Sequence, residues 1–435
     1  MRSARRMLIC GMIMAAGHLL PPLAHGEGTE DLAPYKMIRS LQYVQDSVVL
    51  GDHSAMEMQR FLLGTIDDRL LTGGPSMFDD PRNVDAALVY AMSGGNPSTL
   101  DKLAEADVDG HFDTRVTDAV RNYLGGRGSV TAKSLAEIFP EYKDRQIGPY
   151  LALVSANSVI RKDPALALTY FDWARLTAPG TIVEEAALRR SIYVAVENGW
   201  VEKGVTYSNR YARRFLRSPY ASQFADLFVK LSVDHSDTVS EDDILEVLSF
   251  MDVPRRQEVY LRMARLAAIS GKQRLASLAA ERAQGLSGDG ESVPRLLADL
   301  YSSLASVPSS DVSQAMETII ALPDEKLSAK DRALKEAARV VAEEVLKVPV
   351  LQEQEKAESA DRDQRPAPAG IAAEDDDMNP TAVAVEQPAE AVDTEAANDG
   401  GPQEDRGLDP AFDGFVASGK SKLDEIDALL KGEGG

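Results

Sequence analysis

Asp163-Pro164-Ala165-Leu166-Ala167-Leu168-Thr169-Tyr170-Phe171-Asp172-Trp173-Ala174-Arg175-Leu176-Thr177-Ala178-Pro179 is the stretch on which the fold turns. It opens on an Asp-Pro pair suited to a helix start and closes on a proline, so it reads as one helix with marked ends. Ala167, Phe171, Ala174 and Pro179 place small, aromatic, small and breaker residues at the offsets of the second helix of a tetratricopeptide unit. Small residues there let two helices approach closely, while Phe171 and Trp173 fill the space between neighbouring units.

Working outward, comparable turn residues recur at Asn198-Gly199, His235-Ser236, Ser270-Gly271 and Pro308-Ser309, a step of about 36 positions. Counting back by the same step reaches Gly125-Gly126-Arg127-Gly128 and then, within a few residues, Ser93-Gly94-Gly95-Asn96. The segments between are helical in pattern. Phe224, Leu227, Phe228 and Leu231 form one apolar stripe, and Ile244, Val247, Leu248 and Met251 form the next. Between them Ser240-Glu241-Asp242-Asp243 supplies an N-cap with acids in the first turn, and Pro254 is expected to stop the second helix. Leu297, Leu300, Tyr301 and Leu304 precede Val312, Met316, Ile319 and Ile320 in the same way, with Pro323 closing. Gly204, Ser208 and Tyr211 are a looser echo of the tetratricopeptide offsets. Period-two alternation of β-branched residues is scarce, so essentially no sheet is expected. The fold class is therefore all-α: a degenerate tetratricopeptide-like helical-repeat solenoid.

Before the array, Tyr35 to Leu71 reads as two helices separated by Gly51-Asp52, with Gly73-Gly74-Pro75 ending the second. After it, Leu334, Ala337, Ala338, Val341 and Val345 line one face of a helix suited to cap the open end of the stack. The expected organisation is a signal peptide over 1–26, a helical-repeat domain over 27–350, a disordered acidic tether over 351–406 and an amphipathic segment over 407–435. In the tether, Glu, Asp, Ala and Pro dominate and large apolar side chains are rare, too little to offset ordering entropy. In the last segment Leu423, Ile426 and Leu430 place apolar groups on one face of a short helix, which is marginal in water until it meets a partner or the chain's own body.

Arg2, Arg5 and Arg6, the apolar run from Met7 to Leu20, and Ala24-His25-Gly26 compose a secretory signal, so export to the periplasm of a Gram-negative host is expected. The run is short for a membrane span, and no membrane insertion is expected after cleavage. Cys10 is the single cysteine, so the mature chain lacks a thiol for disulfides, thiolate metal sites or nucleophilic catalysis. The formal charge of −22, about −25 without the three signal arginines, argues against non-specific binding of nucleic acid or anionic lipid.

Gly414-Phe415-Val416-Ala417-Ser418-Gly419-Lys420-Ser421 satisfies the P-loop expression, yet it follows no strand and ends near the terminus, so it is read as a decoy. Asp107-Val108-Asp109-Gly110 with Asp113 is similar to a calcium loop, but the glycine is misplaced and no Glu closes it; a turn between helices is expected. His53, His111 and His235 are far apart, and no metal, cofactor or catalytic residues are assigned. Arg210, Arg213, Arg214 and Arg217 are different, lying at i, i+3, i+4 and i+7 as a basic stripe in an anionic chain. The plain reading is a solvated helix face. The functional one is a dock for an acidic segment of a partner or of the tether, through forked guanidinium–carboxylate pairing.

Tyr35-Lys36-Met37-Ile38-Arg39-Ser40-Leu41-Gln42-Tyr43-Val44-Gln45-Asp46 resembles the N-terminal part of the MotC family, periplasmic motility proteins of alpha-proteobacteria. So do Gly51-Asp52-His53-Ser54-Ala55, Asn83-Val84-Asp85-Ala86-Ala87-Leu88 and Ser93-Gly94-Gly95-Asn96-Pro97. The resemblance runs from about Leu32 to Val348. It implies an exported protein needed for flagellar rotation, acting through the periplasmic part of the MotB stator subunit on how ion flux couples to torque. It implies no enzyme and carries no catalytic residues.

The expected function is thus a non-enzymatic periplasmic scaffold of the flagellar motor. Its helical body holds the MotB stator subunit, and the C-terminal segment carrying Leu423, Ile426 and Leu430 reaches a second envelope protein. Two tethered contacts raise effective concentration without either being strong. The alternatives are a general envelope-assembly scaffold and a peptidoglycan-acting enzyme with a helical superhelix. The region after Val348 leaves no room for the catalytic domain that such an enzyme needs.

Overall fold

The computed structural model describes residues 32–288 and 292–347. The expected signal peptide, the acidic tether, the P-loop-like string and the segment with Leu423, Ile426 and Leu430 lie outside the described residues. Among the described residues every regular element is a helix, and there is no strand.

A hairpin of α1 (Pro34–Val49) and α2 (Ala55–Thr72) comes first, followed by α3 (Pro81–Met92), α4 (Pro97–Ala106), α5 (Thr114–Asn122) and α6 (Gly128–Tyr142). Then come α7 (Gly148–Val159), α8 (Pro164–Thr177), α9 (Ile182–Glu197), α10 (Val201–Arg214), α11 (Ala221–Asp234) and α12 (Glu241–Ser249). The last are α13 (Val253–Ile269), α14 (Gln273–Gly285), α15 (Val293–Ser306), α16 (Val312–Ala321) and α17 (Ala329–Leu346).

The boundaries follow local chemistry. The Asp163 carboxylate accepts from the Leu166 N–H, and Pro164 needs no partner for the N–H it lacks, so α8 starts there. Thr181 caps α9, with Glu184 and Glu185 in its first turn. Ser240 and Asp243 exchange both bonds of a capping box at the start of α12. Each of the five turn landmarks from Asp163-Pro164 to Pro308-Ser309 falls between an odd-numbered helix and the even one after it. Gly199 and Gly271 adopt positive φ there, a conformation that carries a steric cost for other residues.

From α7 onward each odd helix packs on the next odd one: α7 on α9, α9 on α11, α11 on α13, α13 on α15, and α15 on α17. α10 reaches α12 on the other side. Ala167, Phe171 and Ala174 are fully buried, as are Phe224, Phe228 and Leu231. Burying each of the larger side chains is worth about 1.5–3 kcal/mol. Gly204 sits so close to α11 that an added Cβ would lie 2.9 Å from a Leu231 methyl, so a small residue is what lets α10 lie down here. One apolar core runs without a break from Met37 to Leu327, and a separate small one gathers Val307, Val312, Ala315, Ile319, Ala338 and Ala342.

Four expectations are corrected. Pro254 does not end α12; Asp252 caps a new helix, and Pro254 stands in the first turn of α13, where proline is tolerated. Ile320 is exposed rather than part of its helix's buried stripe. On α17 the buried face is Asp331, Ala338 and Ala342, with Leu334 half-buried, so Ala337, Val341 and Val345 point to solvent instead of closing the stack. The helical period offered two apolar stripes on α17, and the one with Ala338 and Ala342 is the one packed against α16. Finally, Phe215 ends α10, so Arg217 lies in the following turn and not on the helix.

Candidate interaction surface

The arginine stripe sits where four elements meet. Arg213 donates to Glu246 of α12 at 2.9 Å and lies 4.8 Å over the Phe250 ring. Arg214 donates to Glu184 at the start of α9, and Glu184 also accepts from the Gly180 N–H. Arg217 carries its aliphatic stem against Gly51, the turn of the α1–α2 hairpin, where a Cβ would stand 2.7 Å from the Arg217 Cβ. Arg210 is exposed on the same helix. The four are therefore not one free face: Arg213 and Arg214 brace α12 and α9, and Arg217 seats the N-terminal hairpin from the turn after α10. Arg210 carries the basic face outward.

Beneath the stripe lies a polar network that the sequence reading missed. Glu185 and Arg189 of α9 pair at 3.1 Å with Glu185 wholly buried. Tyr211 of α10 donates to Glu185 at 2.7 Å, and Arg189 donates to Gln223 of α11 at 2.6 Å. The Arg189 guanidinium lies 4.7 Å over the Tyr220 ring, and Tyr211 stacks on Phe224 with centroids 4.3 Å apart. Burial, and then the Glu185 charge, raises the Tyr211 hydroxyl well above its usual pKa, so it stays a donor. Burial acts against the Arg189 charge, but Glu185 and the surrounding hydroxyls more than offset it. A pair at i, i+4 normally signals a solvated face. The available warning was its setting, with Ile182, Val183, Ala186, Ala187 and Leu188 around it.

The α1–α2 hairpin is joined to the middle of the chain by a second polar contact. Asp46 of α1 accepts from the Ile182 N–H at the first turn of α9, at 2.9 Å. Burial pushes the Asp46 carboxyl up to about 6, opposed by that hydrogen bond. The hairpin exposes large apolar groups, Tyr43 on α1 and Met58 and Phe61 on α2.

Elsewhere, Asp107 closes its turn by accepting from the His111 and Phe112 N–H groups, and Asp113 caps α5 and pairs with Arg115. These carboxylates are spent on the turn between α4 and α5, and no cluster of potential metal ligands occurs among the described residues. A cleft of about 470 Å³ next to Gly125 is lined by Asp101, Asp118, Arg121 and Arg127, with Arg121 bonded to Asp101 at 2.5 Å. Its guanidinium is already matched by carboxylate. No described helix is long and apolar enough to cross a membrane.

A family model described as "Chemotaxis protein MotC" matches residues 1–435. A relative of the same description from Rhizobium meliloti (strain 1021) is 56% identical over 431 residues, covering 97% of this chain and 98% of the relative. The chain belongs to the MotC family. Membership gives it a role in bacterial motility and chemotaxis. No solved structure matches it. In this MotC-family chain the strings that carried the resemblance are the joints of the N-terminal half. The Asn83 side chain accepts from the Tyr35 N–H and donates to the Met77 carbonyl. Gln45 donates to the Ser93 carbonyl at 2.9 Å, Asn96 caps α4, and Gly95 lies where a Cβ would strike Tyr90. Those motifs are architectural: they bind α1 to α3 and α9 and fix the turn from α3 into α4.

Proposed function

We propose that this chain is an exported, non-enzymatic scaffold of the flagellar motor that binds the periplasmic part of the MotB stator subunit and adjusts its energy coupling. The observation that carries the reading is the MotC match along the entire chain, on a body whose main apolar core runs from Met37 to Leu327. The α7–α16 pairs serve as degenerate tetratricopeptide-like units of about 36 residues, a reading supported by the succession of odd helices packing on one another. The working parts are then surfaces. Arg210 with its neighbours offers forked donors to a carboxylate-bearing partner. Tyr43, Met58 and Phe61 offer the apolar anchors typical of an interface centre. Export rests on the basic and apolar opening of the sequence, and the division at about 350 on the composition change there.

A photo-reactive residue placed at Arg210 or at Phe61 in living cells tests this directly. Capture of the periplasmic part of the stator subunit is the expected result. Recovery of wall-synthesis enzymes alone, or turnover in a peptidoglycan-release assay, would overturn it. Deletion of the gene should leave assembled flagella that do not rotate, whereas missing flagella would favour an assembly scaffold.

A further inference from the structure

We propose that the outward face of α17 is the docking site for the C-terminal segment of the same chain, through Leu423, Ile426 and Leu430. α17 is the last described helix and has two apolar faces. One, with Ala338 and Ala342, is buried against α16. The other runs Ala333, Ala337, Val341 and Val345 at steps of four and is exposed along its length. Val341 and Val345 are 52% and 50% exposed, and Val340 beside them is also 52% exposed. A continuous apolar stripe on the terminal element of a helical stack is a surface built for another layer.

The occupant follows from the chain that remains. The structure stops at residue 347, directly beyond α17, and 88 residues follow in the sequence. Between 352 and 406 large apolar side chains are rare, so that stretch offers nothing to cover the stripe. Leu423, Ile426 and Leu430 fall at i, i+3 and i+7, the spacing of one helical face. Their bulk complements the small residues at 333 and 337 and the short branched ones at 341 and 345, large side chains seating over small ones. Reach is no obstacle. The 76 positions from Lys347 to Leu423 would span roughly 45–50 Å at the dimensions of a flexible chain, and α17 is only about 27 Å long. The tether keeps the segment near its site at an effective concentration that a free partner or a second copy must exceed, so even a weak contact is filled. The α17–tail contact is independent of the motor reading: it concerns how this chain finishes its own stack.

The test uses the full mature chain, whose only native cysteine, Cys10, lies in the signal. Val341→Cys is combined in turn with Leu423→Cys, Ile426→Cys and Leu430→Cys, and mild oxidation is followed by gel mobility. An intramolecular disulfide in at least one pair, formed at least ten times faster than the same tail cysteine pairs with Val108→Cys, is the expected result; Val108 is 93% exposed on a distant turn. Equal rates overturn the proposal, as does a disulfide-linked dimer, which assigns the face to a second copy. As an independent readout, Ile426→Asp with Leu430→Asp should raise amide exchange over residues 333–346 about tenfold. Unchanged exchange, or no crosslink in any pair, returns the face to an outside partner and overturns the proposal.

Discussion

At one end of the helical body the α1–α2 hairpin folds back until Asp46 caps α9 and Gly51 rests on the stem of Arg217. At the other end α17 buries two alanines and leaves Val341 and Val345 in solvent. The first joint is directional: a carboxylate, a helix-start N–H and a glycine turn must coincide, and each fits one geometry. The second is directional only at its root, where the buried Asp331 accepts from the Tyr301 hydroxyl at 2.9 Å; further along, α17 packs through alanines, and apolar contact tolerates sliding. The difference teaches that the hairpin is fixed at both its helix and its turn, while α17 is fixed at its first turn and leaves its later outer face for a further layer. Between them the Glu185–Arg189–Tyr211 network sets how α9, α10 and α11 sit on one another.

The comparison breaks most sharply at that network. Glu185→Ala should destabilise the body by about 3–5 kcal/mol, because the buried Arg189 charge loses its carboxylate. Thermal or denaturant unfolding measures this, and a loss under about 1 kcal/mol would mean that water reaches the pair. Next in size, Gly51→Ala places a Cβ on Arg217 at φ 112°, costing about 1–3 kcal/mol locally. Limited proteolysis should then cut between 50 and 55 faster, while the α13–α17 end keeps its protection. Equal protection at both ends would show that the hairpin joint is not set by this turn.

Asp46 sharpens the comparison through pH. Its folded-state pKa of about 6 lies above the ordinary 3.8, so the folded state holds the proton more tightly. The stabilisation from this group is fully present below about pH 4 and is lost as the pH rises through 6. Asp46→Asn keeps an acceptor for the Ile182 N–H and removes the buried charge. It should raise the unfolding midpoint at pH 7.5 and flatten the dependence between pH 4 and 6. A variant with the same pH profile as the parent would place the titration elsewhere. The smallest effect belongs to the exposed brace: Glu246→Ala should cost no more than about 0.5 kcal/mol, since both partners in the Arg213 pair are more than half exposed. A larger loss would mean that the stripe holds the stack together and is not available to a partner.

Much of the architecture was readable residue by residue. Asp163-Pro164 and Ser240 with Asp243 announce helix starts because capping is settled within four residues. The burial of Phe171, Phe224 and Phe228 followed from the helical period. The stripe at Arg210, Arg213 and Arg214 was legible as a face, but not its commitments, since Glu246 and Glu184 come from other helices. Misreading Pro254 came from treating proline as a stop when it serves equally as a first-turn residue.

The sequence by itself determined most of the helices and their caps, because each depends on neighbours a few positions away, and it carried the family resemblance in the strings from Tyr35, Gly51, Asn83 and Ser93. Tertiary structure alone decided that Asp46 meets a backbone group 136 positions later, that Glu185 and Arg189 face inward, and which of α17's two apolar stripes is covered. The physical reason is that periodicity fixes which residues share a face. The choice of the face that loses its water belongs to the helices packed against it.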